Sequence, residues 1–155
     1  MFWTRTERKG SIWRSWMDGT NHTQIATGLS GPAGITIDFQ DSRLYWVVYY
    51  DQRVQSSDMQ GQDVQTVVQL PSYSYPTGIG VLGGRIYWTT SNTGKLGSST
   101  KAGQDIQLLH NYTNSLYQMT VVPRLDLPTN RTNHCENRSC SNICVLTPTS
   151  CSCLS

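Results

Sequence analysis

The most reactive side chains in this sequence are five cysteines. All stand in its last 21 residues, at Cys135, Cys140, Cys144, Cys151 and Cys153. Thiols gathered in so short a segment either oxidise in pairs or, as thiolates, hold a soft metal ion. Their spacing is C-x4-C-x3-C-x6-C-x-C, and the C-x-C pair has no second C-x2-C to complete a four-ligand zinc site. A small disulfide module attached to a cysteine-free domain is therefore expected. Four glycosylation sequons accompany it, at Asn21 (NHT), Asn111 (NYT), Asn130 (NRT) and Asn137 (NRS). Such acceptors are used in secreted chains, and with the cysteines they point to an extracellular protein.

Acid–base chemistry finds less to work with. His22, His110 and His134 are scattered, with no Ser or Cys partner at a fixed spacing. Asp18 and Asp38 fall at turn and strand-end positions, where an Asp usually braces the backbone. No catalytic constellation is legible, and the chain reads as a non-enzyme. Protonation of His22 or His110 at endosomal pH is expected to loosen a contact. Calcium is not expected either: the stretch before the first cysteine, TNRTNH, offers asparagines and no carboxylate to a hard cation. No metal and no cofactor is anticipated.

Bulk properties narrow the partners. The 155-residue chain has a net charge of +2, and its basic residues, as in RTERK, are dispersed. That is no footprint for nucleic acid. No apolar run approaches the roughly 20 residues of a membrane span, and MFWTRTERKG has no apolar leader core. Charged residues are 14% of the chain, against about 25% in an average globular domain. Ser, Thr, Gln and Gly fill the deficit, a composition suited to strands and turns.

The elements that must carry these residues repeat. An apolar–aromatic–Trp triplet recurs as Met1-Phe2-Trp3, Leu44-Tyr45-Trp46 and Ile86-Tyr87-Trp88, at intervals of 43 and 42 residues. Each triplet is followed by a turn glycine, Gly19, Gly61 or Gly103, and then by an apolar stretch. The first two copies close on Pro-x-Gly, from Pro32 and Pro76, whereas the third has Leu116 at the proline position. In the middle copy, strand-like alternation covers 43–49, 53–59, 64–70 and 77–82. Four short strands in about 42 residues mark a β-propeller blade. No helix is expected, because no segment keeps a 3.6-residue apolar period.

RIYWTT, at 85–90, resembles the YWTD motif, and the full period resembles the class B repeats of the low-density lipoprotein receptor family. In that family six blades close a propeller that precedes an EGF-like module. The resemblance thus implies an all-β chain with about three of six blades in residues 1–124, as repeats near 1–43, 44–85 and 86–124. A linker over 125–134 and a truncated EGF-like module over 135–155 would follow. The family pairing would join Cys135 to Cys144 and Cys140 to Cys151, leaving Cys153 without a partner in this chain. The family's Asp after Trp-Thr is replaced here by Arg5, Val48 and Thr90. Strands counted from the repeats are three in 1–29, four in 33–70, four in 77–111 and one orphan over 116–122. In the family that last strand closes the ring onto the first blade.

The same resemblance implies a segment of an endocytic or signalling receptor ectodomain that binds a protein ligand, such as a lipoprotein or a secreted signalling or matrix protein. Membrane attachment would come only through segments outside this chain, which reads as a piece of a longer polypeptide. A matrix glycoprotein of the nidogen type is the other reading. Trp3, Trp46 and Trp88 are assigned to blade packing. Trp13, Trp16, Tyr49 and Tyr50 exceed the repeat template; they are either ligand contacts or further packing between blades.

Overall fold

The computed structural model describes residues 1–7, 9–112 and 114–121, together with the backbone of 143–146 and 151–154. The chain divides into two units, Met1–Val122 and Pro123–Ser155. Within the first, eleven strands form three antiparallel sheets, with no helix among the described residues.

The first sheet holds β1 (Phe2–Arg5), β2 (Gly10–Arg14) and β3 (Thr23–Leu29), in that order. The second holds β4 (Pro32–Asp38), β5 (Arg43–Val48), β6 (Arg53–Asp58) and β7 (Gln65–Gln69). The third holds β8 (Pro76–Leu82), β9 (Arg85–Thr90), β10 (Lys95–Thr100) and β11 (Gln107–Asn111). Each is an up-and-down meander, strands adjacent in sequence pairing in space. Two sheets thus have the four strands of a blade and one has three.

Each repeat tryptophan faces a fixed cross-strand position: Trp3 opposite Trp13, Trp46 opposite Gln55, Trp88 opposite Gly97. The partner differs and the packing adapts. The Trp3 and Trp13 rings stack with centroids 6.5 Å apart. Trp46 Nε1 donates to Gln55 Oε1 at 3.2 Å. The Trp88 ring lies flat on Gly97, where an added Cβ would come within 2.7 Å of it.

Two cores lie between neighbouring sheets. Ile12, Ile25 and Leu29 of the first sheet pack on Leu44, Trp46 and Val48 of the second. Tyr45, Val47, Val54, Val68 and Leu70 of the second pack on Ile79, Ile86 and Trp88 of the third. In β5 this alternation buries both faces, and Leu44 to Val48 are all at most 2% exposed. At the outer turns, Gly61 takes φ 82° and Gly103 φ 76°. Each lies against the outermost strand of the preceding sheet; a Cβ would be 2.1 Å from the Ile25 carbonyl oxygen or 1.9 Å from that of Val67. Gly19, at the same repeat position with φ 82°, has nothing within 4 Å.

The orphan segment departs from expectation. Residues 116–121 form no strand and join no ladder. They run alongside β8, with Thr77 Oγ1 donating to the Leu116 carbonyl at 2.7 Å. Sites on Gly78 and Gly80 are filled by Met119 and Val121. A strand needs a partner edge, and no described strand pairs with this segment.

In the second unit, β12 (Ile143–Leu146) and β13 (Cys151–Leu154) form an antiparallel ladder, with Cys144 opposite Cys153 and Leu146 opposite Cys151. The expected linker, the EGF-like frame, the two cysteine pairings, His134, Asn130 and Asn137 fall outside what is described.

Candidate ligand-binding face

Strand direction sends the loops 49–52, 70–75 and 91–94 to one end of the sheets and the turns 16–22, 39–42, 59–64 and 101–106 to the other. Tyrosines gather at the first end. Tyr49 stacks on Tyr75, with centroids 4.9 Å apart and planes at 22°. Tyr50 meets Tyr49 edge-on at 5.0 Å, and Tyr73 meets Tyr75 edge-on at 6.4 Å. Tyr49 and Tyr75 are half-buried, whereas Tyr50 and Tyr73 expose 65% and 68% of their surface.

The cluster is held from below. Ser91 Oγ donates to the Tyr75 carbonyl at 3.2 Å and lies 3.5 Å from Tyr49 Oη. Asn92 Nδ2 donates to the Tyr73 carbonyl and Gln52 Nε2 to that of Tyr50. The Tyr50 ring covers Gly31, a glycine at φ 73°. Tyr73 and Tyr75 themselves take φ 64° and 46°, a left-handed conformation costly to a bulky side chain. Such backbone is retained where the surroundings over-determine it, and it concentrates at functional surfaces. Four rigid aromatic rings with hydroxyl tips make a surface suited to protein recognition.

The opposite end is charged. Arg43 pairs with Asp63 at 2.9 Å while also donating to Ser56; Arg85 pairs with Asp105 at 2.7 Å and with Ser98. Hydrogen bonds from Gln65 and Arg43 hold the Asp63 carboxyl below the usual range, and Gln107 and Arg85 do the same for Asp105. Lys101 reaches across two sheets to Asp38 and Asp41. Burial opposes its charge, but the two carboxylates outweigh that and raise its pKa.

Of the residues singled out in the sequence, Tyr49 and Tyr50 lie in the aromatic cluster and Trp13 lies against Trp3. Trp16 sits on the turn at the other end, 63% exposed. Trp46 and Trp88 are buried, and Trp3 is half-buried. His22 stands edge-on to Trp3 at 6.0 Å, and His110 tilts on Tyr112 at 4.2 Å. Asp18 accepts from the amide and hydroxyl of Thr20, and Asp38 joins Lys101. These last four residues serve separate contacts and form no common site. Asn21 and Asn111 are exposed. Sequence reasoning passed over Tyr73 and Tyr75, although their alternation in SYSYP just before Pro76 was the available signal.

Comparison with known proteins matches this architecture. The mouse low-density lipoprotein receptor-related protein 5 is 36% identical over 72 residues, covering 46% of this chain. The Drosophila melanogaster vitellogenin receptor Yl is 29% identical over 147 residues, covering 94%. Among solved structures, a chain of a nidogen–laminin complex superposes with a TM-score of 0.67 at 25% identity, over 74% of this chain and 45% of that one. These likenesses support a reading of the repeats as class B repeats of the low-density lipoprotein receptor family. No protein-family model matches the chain. The matched stretches span only 4% and 7% of the lengths of those two receptors. A luciferin-regenerating enzyme, at 13% identity and a TM-score of 0.57, shares the propeller fold alone. In propeller terms each sheet is a blade, with β4 and β8 the innermost strands of the second and third.

Proposed function

We propose that this chain is an extracellular, non-catalytic propeller segment of a receptor-type protein, and that it binds a protein ligand through its tyrosine face. The observation that carries the reading is the Tyr49–Tyr50–Tyr73–Tyr75 cluster, solvent-facing yet strained and braced. Two of its rings are free to be covered, and covering a Tyr of this size is a large part of what a protein interface gains. The sequons at Asn21 and Asn111, both exposed, agree with a secreted surface. A matrix role is the second reading, favoured by the superposition on a chain of the nidogen–laminin complex.

The test uses two probes taken from those relatives, vitellogenin and laminin, each immobilised and presented with the glycosylated chain. Binding to either is expected to fall roughly tenfold or more in Tyr50→Ala and Tyr73→Ala, with melting temperature unchanged. Preference for vitellogenin assigns the receptor reading and preference for laminin the matrix one. Binding that survives both substitutions overturns the tyrosine face as the site.

A further inference from the structure

We propose a second interaction surface, separate from the tyrosine face. It is a groove on the outer side of the third sheet, and it takes an extended peptide strand carrying an acidic residue two places before an aliphatic one. One cross-strand row, unlike its two counterparts, opens the groove.

That row runs outward from each repeat tryptophan. In the first sheet it is Trp3, Trp13, Gln24; in the second, Trp46, Gln55, Thr66; in the third, Trp88, Gly97, Leu108. The first two rows have a large middle side chain and a polar end. The third has a glycine in the middle and an aliphatic end. Leu108 stays 58% exposed there, although with Leu70, Pro71, Trp88 and Gly97 it lines a groove of about 150 Å³ between the second and third sheets. An apolar hollow of that size accepts one aliphatic or small aromatic group.

Charge adds a second requirement. Arg53 and Lys95 hold the same register position, two residues before Gln55 and Gly97. Arg53 is paired with Asp51 at 2.7 Å. Thr93 stands where the third sheet would need that carboxylate, and its hydroxyl is bonded to that of Thr90 at 2.8 Å. Lys95 lines the groove and makes no salt bridge among the described residues. A ligand carboxylate complements that charge.

The backbone of β11 sets the spacing. It is the outermost strand of a complete four-strand sheet, and all 5 of its residues are exposed. Such an edge presents N–H and C=O groups to an added strand, whose alternate side chains then enter pockets. Across from β10, Leu108 faces Gly97, His110 faces Leu96 and Asn111 faces Lys95. A strand laid antiparallel on β11 in this register places one side chain beside Leu108 and another, two residues earlier, in the Lys95 row. The first is the aliphatic group and the second the acid. The loop 70–75 gives Leu70, Pro71 and Ser74 to the groove, and Tyr73 and Tyr75 to the tyrosine face, so the two surfaces adjoin.

The probe is a short labelled peptide of serine and threonine holding one aspartate two places before one leucine. Its fluorescence anisotropy is followed as the full 155-residue chain is added. Saturable binding with a dissociation constant below about 1 mM is expected. Leu108→Thr, which copies the second sheet, should weaken it roughly tenfold. Lys95→Glu should do the same, and should bind a peptide with lysine in place of the aspartate better than the parent chain does. Tyr50→Ala should leave the peptide's affinity unchanged, so this groove and the tyrosine face fail separately. Absence of saturation, or undiminished binding by Leu108→Thr, overturns the groove. A Lys95→Glu chain that gains no preference for the lysine peptide overturns the acidic requirement, and a loss in Tyr50→Ala moves the peptide to the tyrosine face and overturns the proposal.

Discussion

Trp46 is the residue on which the most packing converges. It is fully buried, its indole nitrogen is satisfied by Gln55, and it touches both the first and second sheets. Truncation to alanine removes that contact and leaves a cavity, an effect of about 3–5 kcal/mol. Trp3 holds the equivalent place without the equivalent cover, so Trp3→Ala should cost clearly less. Chemical denaturation of the two variants checks the order, and equal losses would show that Trp3 is as enclosed as its counterpart. The recurrence of the three tryptophans at one repeat position was readable from their period. Their partners were not, because Trp13, Gln55 and Gly97 share a register position but no chemistry. Tyr73 and Tyr75 escaped despite the SYSYP alternation: tyrosine ordinarily avoids the left-handed region, so that pattern does not foretell the turn that gathers them.

At the scale of elements, the turn before the outermost strand of each sheet is the most regular device. Gly19, Gly61 and Gly103 take φ near 80°, and two residues later Asn21, Asp63 and Asp105 take φ of 54°, 52° and 49°. In two sheets this turn also places the carboxylate for its arginine. Because hydrogen bonding lowers the folded pKa of Asp63 and Asp105, each contributes stability at pH values above the unfolded carboxylate pKa, near 3.9. That contribution disappears as pH falls through the lowered folded value. Melting curves of the parent and of Asp63→Asn should therefore differ by a constant amount from pH 7 to 5 and converge only below about pH 4. Convergence already at pH 5 would mean that the carboxylate is not held by Gln65 and Arg43. The strands themselves were legible: 43–48, 53–58, 65–69 and 76–82 lie within about a residue of their expected bounds. The salt links of Lys101 to Asp38 and Asp41 were not, since nothing local relates residues some 60 positions apart.

For the first unit as a whole, the main contacts among the described strands run between neighbouring sheets. The first packs on the second and the second on the third, with β4 against β8 and β1 against β4. The middle sheet is supported on both sides, the outer two on one each. An array of this kind opens from its ends, because removing an end unit breaks one interface and removing the middle unit breaks two. Amide hydrogen exchange in an isolated copy should therefore be slowest in β5 and β6, with β2 and β10 exchanging sooner. The spread of exchange times along the chain thus becomes a clock that reads how many neighbouring sheets each strand leans on.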